Sequence, residues 1–317
     1  MSYELLPEFV QDSPEWHEAR THSLGASEVA AVLGLSPWQT PLSVYRVKMG
    51  VPNEINENLA YFGHALEDPI AQWIRDKHPE VGVVSDWGMS VRSLEHPWLT
   101  ATPDRIVLGH VEQIIPIELK TSSAYSADKW AEGIPDYYAV QVQTQLLVLG
   151  APYGWLAVLH GGNTPDLFRV EADPVVQEQI VRITGEFWHG NVEAQIPPEP
   201  TTSAEATSLW PGEPDLSIEG GEDLYEAWGA YGLLQAEQVE IGKKLDGMKL
   251  EFQKAMTDAT TLTYQGQELF TWRPRAGARR FDTAAFKKDH PDMSAEYTKQ
   301  GAPTRTFLRK TVKEVEE

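Results

Sequence analysis

The chain contains no cysteine. That absence excludes disulfides, thiolate-bound metals, iron–sulfur clusters and a cysteine nucleophile together. Long apolar runs are missing too: no stretch approaches the roughly 18–20 residues needed to span a bilayer, so no membrane partner is expected. The opening residues, MSYELLPEFVQDSPEW, lack the basic region and apolar stretch of a secretory signal. The expectation is a soluble protein of a reducing compartment, the cytoplasm. No internal repeat is visible. Positive charge is scarce, with 26 Lys and Arg against 47 Asp and Glu for a net charge of −21. The deficit is uneven, because residues 273–313 hold 11 Lys and Arg against 4 Asp and Glu. An acidic body argues against broad, non-specific coating of DNA. It leaves room for a small basic channel, since the field at a site is set by nearby charges and bound cations.

What the sequence does contain is a core. Apolar residues make up 41% of 317, with eleven Trp, enough for one large domain or two ordinary ones. Composition breaks at IPPEPTTSAEATSLWPGEPDLSIEGGED, rich in Pro, Gly, Ser, Thr and acids. The expected division is a first domain over 1–195, a linker over 196–221 and a C-terminal helix and hairpin domain with a basic tail over 222–317.

In the first domain, Ser13-Pro14 opens a helix through Arg20, Ser27 starts one that stops near Gly34, and Thr40-Pro41 opens a third ending at Gly50. A longer helix is expected from Asn56 to Lys77, bent or restarted at Pro69. Residues 81–92, 98–107 and 111–120 read as strands, the last two joined by a turn near Gly109. Residues 135–150 read as a helix, 153–160 and 166–171 as a strand pair, and 174–190 as another helix. The class is α/β with a mixed central sheet flanked by helices. In the second domain, Leu224, Trp228, Tyr231, Leu234, Ile241, Leu245, Met248 and Phe252 fall at helical spacing within 222–257. A hairpin through Gln265-Gly266 follows, then an irregular basic tail.

The stretch TPDRIVLGHVEQIIPIELKT, residues 102–121, concentrates the chemistry. On a strand Ile117 and Leu119 face the core, while Glu118 and Lys120 share the opposite face. The turn near residue 109 would fold Asp104 beside Glu118. Two close carboxylates repel unless a proton or a divalent cation intervenes, and an all-oxygen set selects a hard ion, Mg²⁺ or Mn²⁺. These residues alone leave two readings open, an exposed strand face carrying a Glu–Lys couple or a metal site. Glu67, in FGHALEDPIAQWI, offers a third carboxylate, or is an ordinary glutamate on an exposed helix. Tyr138, Gln141 and Gln145 share one helix face, with Gln143 on the other side. That stripe either holds water or phosphate beside the site or is a plain amphipathic face.

Taken in order, EWHEARTHSLGASEVAAVLGLSPW, GHALEDPIA, TATPDRIV, IELKT and YYAVQVQTQLLVLG resemble the YqaJ-like viral recombinase family. These are relatives of the phage lambda exonuclease within the PD-(D/E)xK nuclease superfamily. The resemblance covers most of residues 14–160 and fades after about 195. It implies a PD-(D/E)xK nuclease-like core and a metal-dependent 5′-to-3′ exodeoxyribonuclease that processes double-stranded DNA ends for phage-type recombination. Glu67, Asp104 and Glu118 would bind the Mg²⁺ or Mn²⁺, with the carbonyl of Leu119 as a further ligand. Lys120 would act on the attacking water, and Gln141 would sit by the scissile phosphate with Tyr138 on the same face. Arg20 and Ser27 match the residues that hold a terminal 5′-phosphate. Ser27 at a predicted helix start and Arg20 as a bidentate clamp give that match a physical basis. The implied partners are DNA ends and a phage single-strand annealing or single-strand DNA-binding protein, in the host cytoplasm if the chain is phage-encoded. A homo-oligomeric ring and a monomer both remain open. The rival readings are an endonuclease of the same superfamily, and a non-catalytic DNA-binding or adaptor protein.

Overall fold

Capping residues set where several helices begin. Thr40 accepts the N–H of Ser43 at 3.1 Å and Asp173 accepts those of Val175 and Val176, each ahead of a proline at the first helical position. The structure, a computed structural model, describes residues 2–7, 13–51, 56–108, 114–213, 215–301 and 304–310. It divides into two units, Met1–Ala206 and Thr207–Glu317.

The first unit runs β1 (Tyr3–Leu5), α1 (Pro14–Thr21), β2 (Leu24–Gly25), α2 (Ala26–Val32), α3 (Pro41–Lys48), α4 (Glu57–Ala65) and α5 (Glu67–Lys77). It continues through β3 (Val83–Asp86), β4 (Val91–Ser93), β5 (Leu99–Ala101), β6 (Arg105–Leu108), β7 (Ile115–Ser122), α6 (Asp136–Leu149), β8 (Tyr153–His160), β9 (Thr164–Glu171) and α7 (Pro174–Phe187). A short helix, α8 (Ser203–Leu209), lies within the stretch expected as a linker and contains the boundary between units.

The central sheet has five strands in the order β3-β6-β7-β8-β9. Only β7 and β8 run parallel, joined by α6 as the crossover, so the sheet is mixed as the sequence suggests. A second sheet orders β1-β4-β5-β2. The core gathers Leu24, Leu99, Ile117, Leu146, Leu156 and Ile180, each shielded almost completely from solvent. α6 packs against α2 and α7 and against strands of both sheets.

Several expectations are corrected. Residues 81–92 and 98–107 do not form one strand each. Both are broken, and their halves join different sheets, β3 and β6 in one and β4 and β5 in the other. The first break lies at Gly88, with φ of +65°. The second falls at Pro103, which has no N–H for the ladder. The 56–77 helix does restart, but at Leu66 rather than at Pro69, which sits in the first turn of α5, where its missing N–H costs nothing. α2 starts at Ala26, with Gly25 rather than Ser27 at its cap. The turn near Gly109 lies outside the described residues.

The second unit contains α9 (Glu222–Met256), a hairpin of β10 (Thr261–Tyr264) and β11 (Gln267–Thr271), then α10 (Thr283–Asp289) and α11 (Pro291–Tyr297). The expected hairpin turn is there: Gln265 and Gly266 both take positive φ, 50° and 83°, the conformation that suits a two-residue loop. Phe252 of α9 packs on Phe270 of β11 with ring centroids 4.5 Å apart. The tail, expected to be irregular, carries the two short helices.

Candidate active site

Strand register brings the first two carboxylates together. Arg105 of β6 lies opposite Ile117 of β7, so Asp104, one residue before β6, falls beside the position of Glu118. Asp104 Oδ2 accepts the N–H of Leu119 at 2.7 Å. Lys120 Nζ donates to Glu118 Oε1 at 2.5 Å, as two residues apart on one strand face allow. Glu118 is only 2% exposed, which excludes the open strand face as an explanation for the pair.

Helix α6 supplies the roof. Gln141 Nε2 donates to Glu118 Oε1 at 2.5 Å and Gln145 Nε2 to Oε2 at 2.6 Å, one helical turn apart on a shared face. Tyr138, a turn earlier, places its ring 5.4 Å from Lys120 Nζ. Gln143 points away and binds Glu171 and Asp173. The stripe of Tyr138, Gln141 and Gln145 thus surrounds the Glu118–Lys120 couple, and Gln145 is a residue that sequence reasoning placed on this face without giving it a role.

Charge is concentrated here with little water to screen it. Burial and then the charge of Glu118 push the Asp104 carboxyl well above its usual range, against the pull of Lys120 and the Leu119 N–H. Burial works against the charge on Lys120, but Glu118 and Asp104 together outweigh it and raise its pKa. Lys120 therefore stays protonated at neutral pH.

Glu67 opens α5 and joins the same cleft. With Asp104, Leu119, Lys120 and His64 it lines a cavity of about 250 Å³. Its carboxylate is held by His64 Nδ1 at 2.9 Å and by Arg105 Nη1 at 3.3 Å. Arg105 is nearly buried and also binds Asp68 at 2.6 Å, Asp86 at 3.0 Å and the Asp104 carbonyl at 2.6 Å. It ties α5 and β3 to the start of β6, a role with no signature in the sequence. As these side chains stand, no three Asp, Glu or His groups among the described residues are placed to hold a metal ion together. The donor set nevertheless suits a hard divalent cation, because it is built of oxygens and because a cation would relieve the burial and the crowding by Glu118 that raise the Asp104 pKa.

Arg20 and Ser27 form a separate cluster. Arg20 lies in the last turn of α1 and Ser27, which is exposed, lies in the first turn of α2. Between them is Gly25, where a Cβ would lie 3.8 Å from Arg20 Nη2 and 3.9 Å from Ser27 Oγ, so the two groups converge over a bare backbone. Beneath them Glu28 binds Arg20 at 3.5 Å and accepts the Gly25 N–H at 2.8 Å. Lys48 Nζ, fully shielded, reaches both Glu28 oxygens at 2.9 and 2.7 Å and the Arg20 carbonyl at 2.7 Å. Burial opposes ionisation of Glu28, but Lys48 and Arg20 prevail and hold its pKa below the ordinary value. Sequence spacing offers a hint of Glu28, three residues after the helix cap, and none of Lys48.

The model of the YqaJ-like viral recombinase domain matches residues 15–152. The protein YqaJ of Bacillus subtilis (strain 168) is 30% identical over 311 residues, covering 95% of this chain and 94% of its own. Protein R354 of Acanthamoeba polyphaga mimivirus is 28% identical over 156 residues, 45% of this chain and 28% of its own. Among solved structures, an alkaline exonuclease from Laribacter hongkongensis is similar with a TM-score of 0.46 and 21% identity, over 62% of this chain and 100% of that one. A phage related exonuclease from Haemophilus somnus 129PT gives 0.38 and 10%, over 55% and 96%.

Proposed function

Because the chain belongs to the YqaJ-like viral recombinase family, we propose that this cleft is the active site of a metal-dependent 5′-to-3′ exodeoxyribonuclease acting on double-stranded DNA ends. The observation that carries the reading is the joining of Asp104, Glu118 and Lys120 by the β6–β7 register, with Glu67 in the same cleft. A carboxylate after proline at the head of one strand, and Glu-x-Lys on its neighbour, is the pattern of PD-(D/E)xK nucleases.

Glu67, Asp104, Glu118 and the carbonyl of Leu119 would hold Mg²⁺ or Mn²⁺. The bound ion would supply an activated water and a counter-charge for the phosphate oxygens. Lys120, held by Glu118, would orient the attacking water by hydrogen bonding and offer its charge to the phosphate as negative charge builds. Gln141 and Gln145 fix the Glu118 carboxylate, and Gln141 stands nearest the scissile phosphate in this reading. Tyr138 flanks Lys120 on the same side. Arg20 and Ser27 receive the terminal 5′-phosphate, Arg20 by charge-assisted hydrogen bonds. Single strands left by the reaction would pass to an annealing or single-strand DNA-binding protein in the cytoplasm of a phage host.

The test of substrate class compares linear duplex, with and without 5′-phosphate, and a covalently closed circle. Loss of the 5′-ended strand from linear DNA, faster with the phosphate and with the circle intact, is expected. Cutting of the circle would instead make the protein an endonuclease.

A further inference from the structure

Between the end of β11 at Thr271 and the start of α10 at Thr283 the chain reads WRPRAGARRFD and forms neither helix nor strand. Arg273, Arg275, Arg279 and Arg280 are all exposed, and none has an ion-pair partner among the described residues. In a chain with 47 acidic and 26 basic residues, four unpaired arginines within eight positions call for an anion from outside. Two further arginines of the same unit are already engaged. Arg305 donates to the Trp210 carbonyl at 2.9 Å, and Arg309 lies 4.2 Å over the Trp228 ring. The four in the segment are not so occupied.

Rings bracket the charges. Trp272 is 47% exposed on one side and Phe281 69% on the other. Between them, Pro274 lacks an N–H, and nothing lies within 4 Å of the Cβ position of Gly277. We infer that residues 272–281 are a binding arm for single-stranded nucleic acid, with the arginines on phosphates and Trp272 and Phe281 stacked on bases. Unpaired bases present π-faces to exposed rings and a duplex does not, which favours a single strand. The segment itself also lacks the helix or β-ribbon that enters a major groove. An acidic protein would satisfy the arginines but would not use the ring faces, which stay exposed although Phe281 also meets Phe286 at 4.9 Å. The choice of DNA over RNA rests on the proposed cleavage of DNA ends, which leaves a single strand; the binding itself does not depend on it.

The experiment measures anisotropy of fluorescein-labelled oligothymidylate with the full-length protein in EDTA, across a salt series and beside a duplex of equal length. Replacing all four arginines by alanine should weaken binding roughly tenfold or more and reduce the salt slope by about 3, as expected for four lost phosphate contacts on a single strand. Trp272→Ala with Phe281→Ala should weaken binding by roughly tenfold with the slope unchanged. Lys243→Ala with Lys254→Ala, whose ammonium groups pair with Glu240 and Glu251, should change neither. Wild-type affinity and slope in the four-arginine variant would overturn the proposal, as would an equal loss in the lysine control. Duplex bound as tightly as the single strand would overturn the choice of single strand. A protein that cleaves nothing but binds through these arginines would keep the arm and lose the nuclease reading.

Discussion

A buried carboxylate with N–H donors on both oxygens is oriented before any substrate arrives. Glu118 is that group, and Gln145 holds the oxygen that Lys120 and Gln141 do not. Gln145→Leu conserves volume while deleting one donor. Cleavage rate should fall roughly 10–100-fold, as when outer-shell partners of metal ligands are lost, with little change in melting temperature. Unchanged rates would remove Gln145 from the site. The Glu28–Lys48 pair makes a prediction in pH. Glu28 has a folded-state pKa below its unfolded one, so its contribution is complete above the ordinary carboxylate range and is lost as pH falls through the folded value. Glu28→Gln leaves Lys48 buried and unpaired and should cost about 3–5 kcal/mol at neutral pH. The gap between wild type and variant should narrow on acidification, when Glu28 itself takes a proton. Denaturant melts at several pH values would show it, and a gap constant with pH would refute the assignment. Asp104, Glu118 and Lys120 were legible because strand alternation and a short connection determine their neighbours. Lys48 was not, since a partner twenty residues away on another helix leaves no periodic trace.

Among the elements, helix α6 depends on how it ends. Gly150 caps it with φ of +66° and donates to the Leu146 and Leu147 carbonyls, a conformation that L-residues adopt at a cost. Gly150→Ala should destabilise the protein by about 1–2 kcal/mol, read from the urea midpoint, and its added Cβ would also press on Ser2. A variant as stable as wild type would mean that the helix end relaxes freely. Punctuation of this kind explains which elements the sequence revealed. Thr40-Pro41, Asp173-Pro174, Gly150 and Gln265-Gly266 all mark real boundaries. Residues 81–92 and 98–107 misled because both halves of each are apolar enough for a strand. Partner choice between two sheets is a long-range property that local pattern does not carry.

For the whole molecule, the decisive quantity is the excess of acid. A chain at −21 has little general attraction for DNA, so the contacts proposed above are all local: the cleft with a cation, the Arg20–Ser27 cluster and the basic arm of the second unit. A divalent ion that binds only the folded state raises stability by mass action, by about 2.7 kcal/mol at a hundredfold excess over its Kd. Mg²⁺ or Mn²⁺ should therefore raise the melting temperature in a saturable way, and Asp104→Asn should abolish the shift. An equal shift in that variant would place the ion elsewhere. The division at 206 to 207 and the role of the second unit were the least legible features, because the stretch with linker composition holds a helix and α9 leaves most of its apolar residues exposed. The measurement that tests the central claim most directly is cleavage of 5′-phosphorylated linear duplex by wild type and Lys120→Ala, each with Mg²⁺ and with EDTA. The account predicts release of nucleotides by wild type with Mg²⁺ alone, and a fall of about 100-fold or more without the Lys120 ammonium. Cleavage that survives EDTA, or a Lys120→Ala protein that cuts at the wild-type rate, would contradict it.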